Sequence, residues 1–269
     1  MSAALWERLA AAQVIDLAHP MRGGMPQSPN HPPFRMTLER RHGDMVRADG
    51  GSAANELIIT GGHVGTHVDA LGHVSQDGYL FGRRPTPPAQ SHRGLAELGI
   101  DTVAPAVGRG VLLDVAAEHG TETLPAGYEI TVADLERAQK RAGVRLLPGD
   151  VVLVATGWSR HWHRPDVFVG SAAGVPGPGE EAARWLAAHR PAMVGGETIA
   201  FEHIPAESGH ARLPVHRIML VEAGINIVET MCLTRLRECA VGEFSIVMNP
   251  LPIIGATGAP VRPLALVEP

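Results

Sequence analysis

The chain has 269 residues and a net charge of -5, and we expect one large domain spanning residues 1–269. Acidic and basic residues are mixed along it, which excludes the basic stripe of a nucleic-acid-binding protein. Two cysteines are too few for a disulfide framework or a four-cysteine zinc site. No apolar run approaches the ~18 residues of a membrane span, and the N-terminal residues lack the pattern of a secretory signal. We therefore predict a cytoplasmic protein that binds neither nucleic acid nor membrane.

The first half of the chain is predicted to be rich in strands. Three segments combine β-forming residues with turn signals at their ends: FRMTLE near residue 35, NELIIT at 55–60 and GVLLDVA at 110–116. The stretches 19–33 and 170–179 are rich in proline and glycine and are predicted to be loops. The early strands either extend the main sheet or form a second one.

The second half alternates strands with helices. The best-marked helix is TVADLERAQKRAG, in which Thr131 and Asp134 form an approximate capping box and Gly143 can end the helix. The other elements predicted here are the strands VVLVATG, AMVGG, INIVE and EFSIVM and the helices GEEAARWLAAH and PVHRIMLVEAG. This alternation favours βαβ units, so we predict an α/β fold with a mixed sheet.

Several of these strands run into residues suited to a site. Trp158 closely follows VVLVAT, Glu197 follows AMVGG, and INIV runs into Glu229. In open α/β sheets, pockets form beyond the carboxyl ends of the strands. The pattern is compatible with a pocket at this edge, and also with ordinary solvated loops or, for Trp158, with packing.

The segment GGHVGTHVDALGHV, residues 61–74, places His63, His67, Asp69 and His73 within eleven residues. A straight strand would carry His63 about 20 Å from Asp69 at ~3.3 Å per residue, too far for a shared ion. The glycines disfavour a stable helix. We therefore predict a curled loop in which His63, His67 and Asp69 converge on one metal ion.

Two imidazoles and a carboxylate suit zinc, manganese or iron(II), and three protein ligands leave a position open for catalysis. His73 is then available as a general acid and base, since its ordinary pKa is near neutrality. It could instead be a further ligand or an outer partner of one.

HVGTHVDALGH resembles the HxGTHxDxxxH signature of the cyclase family of metal-dependent hydrolases, which includes kynurenine formamidase and isatin hydrolase. Weaker similarities are VIDLAHPMRGGMP at 14–26, TGW at 156–158 and HRIMLVEAGINIVE at 216–229. The resemblance implies a partly barrel-like mixed β-sheet flanked by helices, of the swivelling β/α/β type, and a homodimer or homotetramer. His63, His67 and Asp69 match the metal ligands and His73 the catalytic histidine.

Members of the family with two metals use a further histidine and glutamate, which His216 and Glu229 resemble, with His210 as a competing histidine. Leu71 stands where formamidases carry proline, which is closer to the isatin-hydrolase branch with one metal. The resemblance therefore implies one or two Zn²⁺ or Mn²⁺ ions per chain. His216 could also lie on a surface turn, and Glu229 could be solvated.

The resulting hypothesis is a hydrolase acting on a small aromatic substrate. Hydroxide on the metal would attack an amide or lactam carbonyl of an aryl formamide or isatin-like ring, with His73 moving the proton. Candidate substrate-binding residues are Trp158, Phe201 and Glu202, the last of which could simply be exposed. The alternatives are a lactone or imide hydrolase, or a metal-dependent cyclase or lyase acting on an enolisable carbonyl. A metal-binding protein without catalytic activity is a third.

Overall fold

The computed structural model describes residues 4–268. Its strands are β1 Gln13–Asp16, β2 Arg35–Arg40, β3 Asn55–Ile59, β4 His67–Asp69, β5 Tyr79–Leu80, β6 Arg84–Pro85, β7 Gln90–Ser91, β8 Gly94–Leu95, β9 Ala106–Asp114, β10 Glu129–Ile130, β11 Val151–Ala155, β12 Gly177–Pro178, β13 Met193–Gly196, β14 Asn226–Glu229, β15 Glu243–Met248, β16 Gly258–Pro260 and β17 Leu264–Val267. Its α-helices are α1 Leu5–Ala11, α2 Thr86–Ala89, α3 Val115–Glu118, α4 Val132–Ala142, α5 Pro165–Val169, α6 Glu180–Ala188, α7 Pro214–His216 and α8 Thr234–Glu238. A π-helical segment, Arg217–Ala223, continues α7, and short 3₁₀ turns cover Phe81–Arg83, Ile100–Thr102 and Trp158–His161.

Within residues 4–268, nine strands form one mixed sheet in the order β1-β17-β15-β9-β11-β13-β14-β4-β16. The central strands β9, β11, β13 and β14 are parallel, because helices α4, α6 and α7 provide the crossovers between them. The flanking strand pairs are antiparallel. The predicted α/β fold with a mixed sheet is confirmed.

The sheet curls toward closure. Strand β1 lies at one end of the strand order, yet the carbonyl of Leu17 just after it accepts the N–H of Cys232 at 2.8 Å, and Ala18 bridges to Met231. These contacts join the end of β1 to the chain that follows β14. The nine strands therefore make a half-barrel flanked by helices, as expected from the sequence.

Each face of the sheet has its own apolar core, since side chains alternate along a strand. On β11, Val152 and Val154 pack toward α4 and α6, whereas Leu153 points into the concave side of the half-barrel. Fully burying such a side chain contributes about 1.5–3 kcal/mol. Because the parallel strands at the centre of the sheet are buried on both faces, they are rigid. They therefore fix the positions of the loops at their ends.

Helix α4 begins and ends as its sequence indicates. The Thr131 side chain accepts the backbone N–H of Asp134, and the Asp134 carboxylate accepts that of Thr131. Gly143 terminates the helix in the left-handed conformation with φ 66°. The capping box and the glycine stop are both confirmed.

Strands β2 and β3 do not extend the main sheet but pair with each other as a separate antiparallel hairpin. Of the two alternatives for the early strands, the structure therefore shows a second sheet. Among residues 4–268, no helix is both long and apolar enough to cross a membrane.

Candidate metal centre

Glycines shape the path of the histidine segment. Gly65 has φ 71°, a conformation that suits glycine, and the turn there returns the chain so that His63 Nδ1 lies 2.7 Å from Asp69 Oδ1. A Cβ on Gly62 would lie 2.4 Å from the carbonyl oxygen of Gly258. The predicted convergence of His63 on Asp69 is therefore achieved by a turn at one glycine and close backbone approach at another.

The curled loop ends earlier than predicted, because residues 67–69 form strand β4. This strand is hydrogen-bonded between β14 and β16, and its register places His67 opposite Glu229. His67 Nε2 lies 3.4 Å from both Asp69 Oδ1 and Glu229 Oε2. Residues 63–69 do not form one continuous strand. The last three are extended because Gly65 has already turned the chain.

Helix α7 delivers a third imidazole to this cluster. His216 Nε2 lies 3.5 Å from Asp69 Oδ2 and 3.1 Å from Glu229 Oε1. The competing residue, His210, instead places Nδ1 3.4 Å from Ser28 Oγ. His216 is buried rather than on a surface turn, and Glu229 is buried rather than solvated.

Glu202 lies behind His216 and is fully buried, so it is not exposed. Its carboxylate accepts the backbone N–H groups of Val215 at 3.1 Å and His216 at 3.0 Å. Its Oε1 is also 2.6 Å from His216 Nδ1. This bond fixes the imidazole with Nε2 facing Asp69 and Glu229, the arrangement by which outer carboxylates orient metal-binding histidines.

The other two histidines of the cluster are also oriented by bonds on their far side. His67 Nδ1 lies 2.8 Å from the carbonyl oxygen of Gly65, which can accept its proton and leave Nε2 free to bind. His63 Nε2 lies 2.8 Å from Thr257 Oγ1, opposite its contact with Asp69. Asn226 donates its side-chain amide to the carbonyl of Asp69 at 2.7 Å, which holds β4 in place.

The cluster fits a divalent metal ion. Two triads share Asp69, one with His63 and His73 and one with His67 and Glu229, and the possible ligand atoms of each lie within 4.8 Å of one another. Within residues 4–268, three buried atoms of the cluster have no hydrogen-bond partner: His67 Nε2, Asp69 Oδ2 and Glu229 Oε1. Glu229 Oε1 lies 3.1 Å from His216 Nε2, but the two groups are not aligned for a hydrogen bond. Leaving such an atom without a partner costs about 1–3 kcal/mol. A bound cation would remove this cost.

The buried carboxylates of the cluster also favour a positive charge beside them. Burial opposes protonation of His67, but the neighbouring carboxylates of Asp69 and Glu229 outweigh it and raise the pKa of His67 to about 10. Burial likewise opposes ionisation of Asp69, yet the surrounding imidazoles, first His73 and then His216, hold the pKa of that carboxyl well below its usual range. A divalent ion would supply the charge that the proton on His67 otherwise provides.

His73 differs from the other imidazoles. Its ring stacks on that of His63 with centroids 3.8 Å apart. Burial lowers the pKa of His73 to about 4, with Asp69 opposing and His63 adding to the effect. The side chain is therefore uncharged at neutral pH.

Sequence reasoning missed one histidine near the centre. His31 stacks on His63 with centroids 5.1 Å apart and lies 6.5 Å from His73. It belongs to the proline-rich loop 19–33, whose spacing gives no signal of a ligand. The only available hint was that this loop contains two histidines at all, His19 and His31.

Trp158 and Phe201 lie in apolar cores. The Trp158 indole donates its N–H to the carbonyl of Phe168 at 2.9 Å and packs with Phe168 and Ile199. Phe201 belongs to the core between the sheet and helices α4 and α6. Both side chains are almost fully buried. Their contact with substrate stays a prediction, as does that of Glu202.

Comparison with known proteins identifies the family of this chain. The Cyclase family model matches residues 15–203, the range that holds the histidine segment. This chain belongs to the Cyclase family. The resemblance drawn from HVGTHVDALGH is thereby confirmed.

Solved structures of similar proteins extend the match over 95–99% of this chain. A cyclase with a known crystal structure is 30% identical in sequence, with a TM-score of 0.84 over 98% of this chain and 93% of that one. Isatin hydrolase A from Ralstonia solanacearum is 25% identical, with a TM-score of 0.74 over 99% and 98%. A protein described as a potential metal-dependent hydrolase with cyclase activity is 25% identical, with a TM-score of 0.59 over 95% and 99%.

Proposed function

We propose that this Cyclase family protein is a metal-dependent hydrolase that cleaves an amide or lactam C–N bond of a small aromatic substrate. The observation that carries the proposal is the buried cluster of His67, Asp69 and Glu229, in which three ligand atoms have no hydrogen-bond partner. Purely structural polar groups are normally satisfied when buried. Unpaired atoms that face one another are expected where an ion binds.

The residues that would hold metal are His63, His67, Asp69, His216 and Glu229. Asp69 belongs to both triads, and the cluster has enough donors that it would hold one or two Zn²⁺ or Mn²⁺ ions. When bound, such an ion polarises a carbonyl and makes water more acidic. Glu202 keeps the His216 Nε2 atom directed into the cluster through its 2.6 Å bond to Nδ1.

His73 is the proposed proton carrier. It is uncharged at neutral pH, so its imidazole can accept a proton from water as the water oxygen bonds to the carbonyl carbon. The same imidazole then returns that proton to the departing nitrogen as the C–N bond breaks. Such positioned proton transfer contributes about 10²–10⁴-fold to a rate.

The choice of substrate class follows from the surroundings of His73. His31 and His73 each stack on His63, so the centre already holds a group of imidazoles next to which an aromatic ring would pack by offset stacking. A cavity of about 420 Å³ is lined by Val74, the residue after His73, and by Gln76, His210 and Leu213 among others, and this volume suits a small ligand. The match to isatin hydrolase A supports a lactam fused to an aromatic ring, with an aryl formamide as the related open form.

A second function is a cyclase acting on an enolisable carbonyl. It is favoured by the match to a cyclase crystal structure at 30% identity. The two reactions differ in the fate of water. Hydrolysis adds a water oxygen to the product acid, whereas cyclisation without hydrolysis does not.

The test is an assay of isatin and an aryl formamide with protein stripped of metal by a chelator and reloaded with Mn²⁺ or Zn²⁺ in heavy-oxygen water. We expect turnover only after reloading, with one labelled oxygen in the carboxylate product. Turnover that survives complete metal removal would overturn the proposal. Product formed without label would favour the cyclase.

A further inference from the structure

Strained backbone in this protein coincides with the metal centre. Within residues 4–268, eight residues other than glycine have a positive φ, and two of them, Phe201 and Thr230, are buried. The others are at least partly exposed. Phe201 directly precedes Glu202, and Thr230 directly follows Glu229. Each buried left-handed residue therefore adjoins a carboxylate that belongs to the centre or supports it.

The left-handed conformation, with φ 56°, is poorly suited to Thr230. Threonine is branched at Cβ, and a branched residue at positive φ is an outlier. Such residues persist only where the surrounding structure holds them, and they concentrate at functional sites. The Thr230 hydroxyl is buried and has no hydrogen-bond partner among the described residues, so it does not hold the turn. The restraint must come through the backbone groups of Thr230.

Both backbone groups of Thr230 are held. Its N–H donates to the carbonyl of Thr198 at 3.1 Å, and its carbonyl accepts the hydroxyl of Thr66 at 2.6 Å. The Thr66 hydroxyl also accepts the backbone N–H of His19 at 3.0 Å. A hydroxyl has one donor and two acceptor positions, so its single proton is committed to Thr230. This one buried side chain thus joins three segments of the chain.

Thr66 lies beside a pair of candidate ligands. It directly precedes His67, and Thr230 directly follows Glu229. His67 and Glu229 form the last pair at this end of the β4–β14 ladder. The bond from the Thr66 hydroxyl to the Thr230 carbonyl therefore closes the ladder one residue beyond the two ligands, at the point where β14 turns away.

We propose that Thr66 is a positioning residue of the metal centre. By holding the carbonyl of Thr230, its hydroxyl keeps the strained turn that directs the Glu229 carboxylate into the cluster. The oxygens of that carboxylate lie 3.4 Å from His67 Nε2 and 3.1 Å from His216 Nε2. Without the hydroxyl, the turn relaxes toward the negative φ that suits threonine, and the carboxylate moves away from these positions. The inference rests on the metal site of the proposed function but not on its substrate.

The test is the affinity of metal-stripped protein for Zn²⁺, measured by competition with a chromogenic chelator. Thr66→Val keeps the shape of the side chain and removes the hydroxyl. We expect its affinity for Zn²⁺ to fall about 10–100-fold, as for other residues that orient metal ligands. Thr66→Ser keeps the hydroxyl and is expected to retain the wild-type affinity.

Thr123→Val is the matched control. The Thr123 hydroxyl also donates to a carbonyl distant in sequence, that of Gly157 at 3.1 Å, but neither residue belongs to the two triads. Urea denaturation of the metal-free proteins reports the loss of stability in both valine variants. A merely structural role for Thr66 would lower the unfolding midpoint and leave the affinity for Zn²⁺ unchanged, which is the result expected for Thr123→Val.

Three results would overturn the inference. Wild-type affinity in Thr66→Val would do so and leave the proposed function intact, as would an equal loss in Thr66→Ser and Thr66→Val. Binding of neither Zn²⁺ nor Mn²⁺ by the wild-type protein would overturn the proposed function as well. Circular dichroism reports whether each variant is folded. If Thr66→Val does not fold, Thr66→Ala and Thr66→Ser, which differ by the hydroxyl alone, are compared by the same criterion.

Discussion

His67 and Glu229 face each other across the antiparallel pair of β4 and β14, with His67 Nε2 3.4 Å from Glu229 Oε2. They are separated by 162 residues of sequence, 229 minus 67. The sheet register alone sets this contact, so the metal centre exists only when β4 is correctly paired. A metal ion bound here would therefore stabilise the pairing of β4 with β14.

The first prediction concerns metal content. Glu229→Gln removes a charged ligand and leaves His67 and His216 without their shared carboxylate. We expect metal affinity to fall by more than the roughly 10–100-fold typical of an outer partner. Glu136→Gln, on the exposed side of α4, is the control and keeps wild-type metal content. Elemental analysis of protein dialysed against a weak chelator measures both, and equal metal in the two variants would remove Glu229 from the ligand set.

The second prediction separates His73 from the ligands. His73→Gln is expected to lower kcat by about 10²–10⁴-fold, the contribution of a positioned acid and base, while metal content stays at the wild-type level. Joint loss of metal and activity would make His73 a ligand instead. Steady-state kinetics and elemental analysis of the same preparation distinguish the two.

The third prediction tests Glu202 as the residue that positions His216. Glu202→Gln keeps the size of the side chain but places an amide among donors that need acceptors, the N–H groups of Val215 and His216. We expect metal affinity to fall about 10–100-fold, measured by competition with a chromogenic chelator. Glu207→Gln, exposed on the same loop, serves as control. An unchanged affinity in Glu202→Gln would show that His216 needs no carboxylate behind it.

The fourth prediction concerns the close backbone approach beside His63. A methyl group on Gly62 would lie 2.4 Å from the Gly258 carbonyl, whereas one on Gly23 has nothing within 4 Å. Gly62→Ala is expected to lower the free energy of unfolding by about 1–3 kcal/mol, as overpacking does. Gly23→Ala is expected to leave it within about 0.5 kcal/mol, the range of surface substitutions. Urea denaturation followed by circular dichroism compares them, and equal midpoints would refute the steric argument.

The fifth prediction is a pH dependence of stability due to His19. Burial lowers the pKa of His19 from 6.5 to about 4, and its ring stacks on Trp162 at 4.1 Å. The unfolded chain therefore takes up a proton on His19 below about pH 6.5 that the folded chain refuses until about pH 4. The free energy of unfolding therefore has its full value above pH 6.5. It decreases as pH falls through this window, by up to about 3 kcal/mol.

His19→Phe keeps an aromatic ring next to Trp162 and removes the titration. Its unfolding free energy is expected to fall less steeply than that of wild type between pH 6.5 and 4. The measurement is urea denaturation of both proteins, stripped of metal, at intervals across that range. Parallel pH profiles would show that His19 does not contribute.

Much of the secondary structure was predictable because its signals are local. Thr131, Asp134 and Gly143 lie within one helix and its ends, and capping acts over three or four residues. The buried strand VVLVA and its neighbours were similarly marked by short apolar runs between turns. The separate hairpin of β2 and β3 was left open, since pairing partners of exposed strands are decided by distant contacts.

By itself, the sequence predicted that His63, His67 and Asp69 converge with His73 close by, since the glycines among them disfavour a helix and permit the tight turn that brings them together. Only the tertiary structure decided that His216 rather than His210 joins them, that Glu202 supports His216, and that His31 covers His63. The physical reason is distance along the chain. Glu229 meets His67 through sheet register, and His216 arrives on a helix held by Glu202, so both depend on packing that no local pattern encodes.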